Sequence, residues 1–266
     1  MTELQAPQEM LWRENLSDYV GDAMELVHQT YEGTSALLSM PRVVAALSKV
    51  DRRGVDTDQH QEEKDTADKS AAYAAKAQAS DFALLHAHTV MGLWGALEAA
   101  VEDLASTWLE NHPALLSRPK FMRIRVPVAI YETLTPAARF RLIISELQRD
   151  LGNDQSFGVG QFEKILTEVE LTGAVPPRVR RLLLRAQQYR HLVAHRAGRA
   201  DSRFLEICPD LGYTLGDPVN LSRTQMNEIF MAMIAYMEEL ENRVRLARAE
   251  PILASDGLAE WLAEEW

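Results

Sequence analysis

The sequence predicts an all-α fold, a helical bundle with one short strand-like hairpin inserted before its last long helix. Three observations carry that expectation. Ala, Leu, Glu and Arg dominate while aromatic residues make up 7%, a composition that favours helix. Apolar residues recur at three- and four-residue steps through most of the chain. Only residues 203–221, RFLEICPDLGYTLGDPVNL, read as strand-like, as two short apolar runs around a glycine-containing turn.

Taken in order, residues 9–30 and 36–50 read as two helices split near the EGTS stretch at 32–35. Residues 51–63, DRRGVDTDQHQEE, are polar and aperiodic and read as a loop. From about Glu62 to Glu110 one pattern runs without a breaker, which gives one long helix or two with a kink. Its second half is apolar on most faces except at Glu98, Glu102 and Asp103, as a central core helix would be. Thr135-Pro136 supplies an N-cap and first helical residue for a helix to about Leu151. GNDQSFGVG is a loop whose glycine pair lacks the strand before and the lysine after that a phosphate loop needs. QFEKILTEVEL is a short helix, and TGAVPP breaks the chain before an arginine-rich helix that ends near Gly198. Ser222 and Gln225 form a capping box that opens a Met- and Leu-rich helix to about Ala249. After Pro251 an acidic amphipathic tail carries Leu258, Trp261 and Leu262 on one side. The expected domains are an N-terminal helical extension (1–60), the main helical domain (61–249) and the tail (250–266).

Bulk properties narrow the function classes. A chain of 266 residues, 47% hydrophobic, can bury a sizeable core. Its one cysteine, Cys208, excludes an internal disulfide and a cysteine-based zinc site, and a reducing cytosol is the simplest compartment. The N-terminus lacks a basic region followed by an apolar one, and no apolar run approaches the roughly 20 residues of a membrane helix. A cytoplasmic protein without a membrane partner is the expectation. The net charge of −11 argues against a general nucleic-acid binder. Its distribution says more. Eight arginines (178, 180, 181, 185, 190, 196, 199, 203) and a single acid, Asp201, lie between positions 178 and 203. The acids gather elsewhere, with seven in residues 51–69 and five in residues 250–266.

Within the basic segment stands QQYRHLVAHRAG, residues 187–198. Val179, Leu182, Leu183, Ala186 and Val193 fall on one stripe at about 100° per residue, and Arg190 occupies the position that continues it. A buried cation must meet a carboxylate, a carbonyl array or a bound anion. Glu98 on the core helix is the structural partner expected for Arg190, with Glu102 beside it. His191 and His195 are four apart and share a face. That spacing can ligate zinc, yet the intervening Glu of a zincin is missing, and His86 and His88, two apart, point in different directions. No metal and no cofactor are expected. The same residue types suit metal-free RNA cleavage. One group takes the proton of the ribose 2′-OH, another protonates the leaving 5′-oxygen, and a planar guanidinium steadies charge on the phosphate.

YRHLVAHRAG resembles the signature of the HEPN superfamily, the helical domains of many RNA-cleaving toxins and defence proteins. The pattern is Arg, a polar residue, three residues, then His, filled here by Arg190, His191 and His195. VPPRVRRLLLRAQQ before it, HRAGRADSRFLE after it and LGDPVNLSRTQMNEIF further on follow the family's order of features, and LWGALEAAVEDLASTWL resembles its other core helix. The resemblance covers about residues 80–248. It implies an all-α bundle that dimerises so that the two motifs face each other, with Arg190, His191 and His195 from each subunit in a composite site. Such a dimer answers a geometric difficulty, because Arg190 and His195 lie about 140° apart on a straight helix. Either the helix unwinds towards Gly198 or two protomers combine. One departure is Ala197, where a branch of the family carries a tyrosine two residues after the motif histidine.

The expected function is a metal-independent endoribonuclease in a toxin–antitoxin or antiviral-defence setting, acting as a homodimer on an RNA substrate. Arg190, His195 and His191 are its catalytic residues, and Arg181, Arg185, Arg196 and Arg199 hold the RNA backbone. The alternative is a non-catalytic HEPN-like module for protein interaction or RNA binding. A protein partner or inhibitor would then dock on Leu258, Trp261, Leu262 and Trp266.

Overall fold

The computed structural model describes residues 20–47, 57–152 and 156–263. Its regular elements are all helical, and no strand occurs among the described residues. The α-helices are α1 (Gly21–Leu47), α2 (Thr57–Ala79), α3 (Ala83–Asn111), α4 (Val128–Thr133) and α5 (Pro136–Leu151). They continue with α6 (Gly160–Glu168), α7 (Pro177–His195), α8 (Ser202–Ile207), α9 (Arg223–Ala247) and α10 (Asp256–Ala263). None is long and apolar enough to cross a membrane among the described residues. The expected helix start at 9–19, the residues 48–56, the loop residues 153–155 and Trp266 lie outside the described residues.

Local capping decides several of these boundaries. The Thr135 hydroxyl accepts the Ala138 N–H at 3.4 Å to open α5. The capping box before α9 is reciprocal, with Gln225 N–H donating to Ser222 Oγ at 3.2 Å and Ser222 N–H donating to Gln225 Oε1 at 3.0 Å. Three expectations are corrected. The split at EGTS does not occur, because α1 runs through Gly33 and Thr34. Thr34 spends its hydroxyl on the Thr30 carbonyl at 2.9 Å, and lies 2.7 Å from the Thr89 hydroxyl, rather than capping a new helix. Residues 57–63, expected in a loop, belong to α2, whose polar surface is stitched by four-residue pairs such as Gln61 to Asp65 at 2.7 Å. The long pattern from Glu62 takes the second of its two expected forms, two helices, and divides at Ser80–Phe82, where Asp81 and Phe82 take left-handed φ of 49° and 55°.

The strand-like hairpin is the third correction. Residues 202–207 form α8, because Asp201 caps it by accepting the Phe204 N–H at 2.9 Å. Phe204 and Cys208, four apart, are both buried and share one helical side. Cys208 ends α8 with its N–H on the Phe204 carbonyl at 2.8 Å. What survives of the hairpin is one isolated antiparallel bridge between Arg199 and Pro218.

The chain forms two compact units that are discontinuous in sequence, and the expected seams near residues 60 and 249 do not bound them. Among the described residues the first takes 20–27, 93–152, 156–188 and 229–263. In it Leu93, Trp94, Leu97, Val101 and Leu104 of α3 are buried, as are Ile144 and Leu147 of α5, Phe162 and Leu166 of α6 and Met233, Tyr236 and Leu240 of α9. Trp94 packs on Phe162 at 5.4 Å, and Phe162 on Tyr236 at 6.4 Å, centroid to centroid. A charged cluster crosses this apolar interior. Arg243, 4% exposed, donates through Nη1 to both Glu163 oxygens at 3.0 and 3.1 Å and to the Leu171 carbonyl at 3.1 Å. Its Nε donates to Glu239 Oε1 at 3.0 Å, and the Tyr236 hydroxyl donates to Glu163 Oε1 at 2.6 Å. Burial, and then the Glu163 charge, push the Tyr236 phenol well above its ordinary range. Gly173 is required beside this cluster, since a Cβ there would meet the Arg243 guanidinium and the Glu239 carboxylate.

Among the described residues the second unit takes 28–47, 57–92 and 189–228. Thr30 Cγ2 lies 3.4 Å from where a Gly92 Cβ would stand, and the Asp81 carboxylate accepts the Arg223 N–H at 2.9 Å. The Tyr189 ring packs at a tilt against Phe204 at 6.1 Å, and Phe204 likewise against Tyr213 at 5.8 Å, centroid to centroid. His86 is wholly buried, and neither ring nitrogen has a hydrogen-bond partner among the described residues. Burial holds it towards the neutral form, with Asp81 opposing and Arg223 reinforcing that effect.

Removing one partner of a buried, hydrogen-bonded charge cluster strands the others. Arg243→Ala is therefore expected to cost about 3 kcal/mol or more, read as a lower urea midpoint. A loss below about 1 kcal/mol, the range of an exposed pair, would show that the cluster does not hold α6 to α9.

Candidate functional site

The site is built on α7 and the turn that ends it. Pro176 and Pro177 set the helix start, with the Arg180 N–H bonded to the Pro176 carbonyl at 3.0 Å. Val179, Leu182, Leu183 and Ala186 are buried as expected. The face is completed, however, by Tyr189 and Leu192, while Val193 and Arg190 are half-buried. Arg190 thus stands at the margin of the apolar stripe and not in its middle. It makes no hydrogen bond and no ion pair among the described residues. Glu98, its expected partner, lies in the first unit and there accepts the Trp94 indole N–H at 2.8 Å.

The helix persists through His195, so the expected alternative of unwinding ahead of that residue does not hold. An unbroken helix keeps Arg190 and His195 about 140° apart. It brings the two histidines together instead: their ring centroids are 5.2 Å apart, with His191 half-buried and His195 exposed.

Beyond His195 the chain turns sharply. Ala197 and Gly198 adopt left-handed φ of 50° and 70°, the second natural for glycine. The Gly198 and Arg196 N–H groups both reach the Leu192 carbonyl, at 3.0 and 2.8 Å. Residues 198–200 are then clamped to 216–219. Val219 N–H donates to the Gly198 carbonyl at 2.8 Å, Ala200 N–H to Asp217 at 2.9 Å and Gly216 N–H to Ala200 at 2.9 Å. Asp217 in turn accepts the Thr214 N–H at 2.8 Å and its hydroxyl at 2.9 Å.

This clamp delivers Asp201 to the histidines. Its Oδ1 caps α8, while Oδ2 accepts Arg196 Nε–H at 3.0 Å and lies 3.8 Å from His191 Nε2. Burial alone would raise the Asp201 carboxyl. The Phe204 N–H, the Arg196 hydrogen bond and the neighbouring positive charge outweigh it and hold the carboxyl below its ordinary range. His191 is also shifted down, first by burial, then by His195, Arg203 and Arg196, with Asp201 as the opposing influence.

Of the four arginines expected to hold RNA, Arg181 (exposed) and Arg185 (half-buried) lie in the first unit, and Arg196 and Arg199 (both exposed) in the second. Arg199 spends one N–H on the Gly216 carbonyl at 2.9 Å, as Arg196 does on Asp201. The tail departs from its expected role as a free docking element. Leu258 and Trp261 are buried in the chain's own first unit, and Leu262 is half-buried. The Arg178 guanidinium sits 4.1 Å over the Trp261 ring, its Nη1 donating to the Trp261 carbonyl, and Asn242 exchanges two hydrogen bonds with the Leu253 backbone. Asp201 was missed by the sequence reading, although a lone acid among eight arginines, three residues before Phe204, is the available signal. Among the described residues no group of three His, Cys, Asp or Glu side chains is placed to hold a metal ion. Comparison with protein-family models, with curated proteins and with solved structures finds no match to this chain.

The downward shift of His191 has a definite sign in stability. A folded-state value below the unfolded one, about 6.5, means that folding favours the neutral ring. Its contribution is full above pH 6.5 and is lost as pH falls through the folded value. Urea midpoints at pH 7.5 and 5.5 should therefore drop less in His191→Gln than in the native sequence. Equal drops would show that His191 carries no such linkage.

Proposed function

We propose that the protein is a metal-independent endoribonuclease, with Arg190, His191 and His195 as its catalytic residues. The observation that carries this reading is a half-buried Arg190, without a hydrogen bond or ion pair among the described residues, on the same two helical turns as an exposed His195 and a half-buried His191. A structural arginine would be capped by a carboxylate and closed off. This one keeps its donors available to a phosphate, which a planar guanidinium engages bidentately.

In the proposed reaction the ribose 2′-oxygen attacks the adjacent phosphorus as one histidine takes the 2′-OH proton. The bond from phosphorus to the 5′-oxygen breaks, and the other histidine gives that oxygen its proton. The products are a 2′,3′-cyclic phosphate and a 5′-hydroxyl. His191, held towards its neutral form, suits the base, and exposed His195 suits the acid. Arg190 stabilises the charge that builds on the non-bridging oxygens. The resemblance of RHLVAH to the HEPN signature supports the same assignment, as do the arginines flanking it. Because Arg190 and His195 diverge on one helix, the proposed site draws the arginine from one copy and the histidines from its partner in a homodimer. A toxin or antiviral-defence role follows from the resemblance alone.

Purified protein incubated with tRNA and total RNA in excess EDTA should cleave and leave cyclic-phosphate ends. Arg190→Ala and His195→Ala should each lose at least about 100-fold while melting like the native sequence. A folded wild type that leaves all RNA intact would overturn the nuclease and favour a non-catalytic interaction module. Mixing the two inactive variants tests the composite site, since random pairing restores one good site in the heterodimer and roughly a quarter of full activity. Mixtures as inactive as their components would place each site within one protomer.

A further inference from the structure

We propose that Asp201 is a positioning residue of this site, one that holds the Nε2 edge of His191 towards its carboxylate and leaves Nδ1 to meet the ribose 2′-hydroxyl. The inference rests on the nuclease reading above and adds a residue to it. Its ground is that the carboxylate is fixed without any help from the histidine. Oδ1 is committed to the Phe204 N–H at 2.9 Å, Oδ2 to Arg196 Nε at 3.0 Å, and the preceding backbone is clamped through residues 198–200. A group tied at both oxygens is preorganised and can orient a neighbour. His191 Nε2 stands 3.8 Å away, too far for a hydrogen bond and close enough for a charge pair once the ring is protonated.

The surroundings make that pair consequential. The charged and titratable groups around His191 are Asp201, His195, Arg196 and Arg203. Three of the four are cations or become cations on protonation, so among the described residues Asp201 is the one group that favours proton uptake by His191. When His191 takes the 2′-OH proton on Nδ1, the imidazolium presents an Nε2–H to a carboxylate already waiting for it. Without that carboxylate the same proton must be accepted among arginines alone.

The test follows the His191 ring C–H resonance by NMR across pH in the full chain, beside the pH profile of RNA cleavage. Asp201→Asn and Asp201→Ser both retain an oxygen that can cap α8, and serine is too short to reach His191 or Arg196. In both variants His191 should titrate at lower pH than in the native sequence. The acid limb of the cleavage profile should move the same way, with kcat at neutral pH falling on the order of 10-fold or more. Asp201→Glu, which restores the charge, should return the His191 titration towards the native position. A His191 titration and a cleavage profile unmoved by both neutral substitutions would overturn the inference while leaving the nuclease intact. A wild type that cuts no RNA would overturn the nuclease reading and, with it, the role given to Asp201.

Discussion

An α-helix that does not break before His195 sets what the RHLVAH segment can do. Successive residues are rotated by about 100°, so a five-residue separation carries Arg190 and His195 to different sides and a four-residue one stacks His191 over His195. No side-chain rotation recovers the first pairing, and none is needed for the second. The chemistry available to one copy is therefore a histidine pair, and the guanidinium is presented elsewhere. The buried residues of the same helix enforce this phase. Tyr189 and Leu192 face inward, and slipping the helix to bury Arg190 would bring out two apolar side chains worth roughly 1.5–3 kcal/mol each.

The turn after the helix completes what the helix cannot. Ala197 and Gly198 reverse the chain through left-handed backbone, and the ladder to residues 216–219 converts that reversal into a fixed position for Asp201. A carboxylate with two separate commitments then sits in a segment, residues 178–203, that otherwise carries eight arginines and no other acid. The electrostatic character of the segment is thus less simply basic than a count of eight arginines suggests. Arg196 and Arg199 each direct an N–H inward to the chain, and Arg178 is occupied by Trp261.

How much of this was legible in the sequence depended on the range of the interaction. The helices opened by Thr135 and by Ser222 with Gln225 were readable because a cap is a three-residue event. The helix at 177–195 was readable from its prolines and its apolar period. EGTS was misread because a threonine hydroxyl is as content bonding four residues back as capping, and Thr89, 55 residues away, favours the former. The apparent hairpin misled because RFLEIC serves a short helix once Asp201 caps it. At the site, the three motif residues stood out by type and spacing, while the margin position of Arg190 did not, since a stripe of five residues fixes a helix face only to within a residue either way. The Glu163–Arg243 pair, 80 residues apart, had no local signature at all.

The placement of Cys208 has a practical consequence. It is the sole thiol in the chain, nearly fully buried at the end of α8, seven residues beyond Asp201. A buried thiol is inert towards alkylating reagents until the surrounding backbone opens. The rate at which such a reagent modifies this protein therefore clocks the opening of the short helix that Asp201 caps, from a native atom and with no engineered reporter. Any RNA or partner that tightens the turn at 196–201 would register as a slower clock.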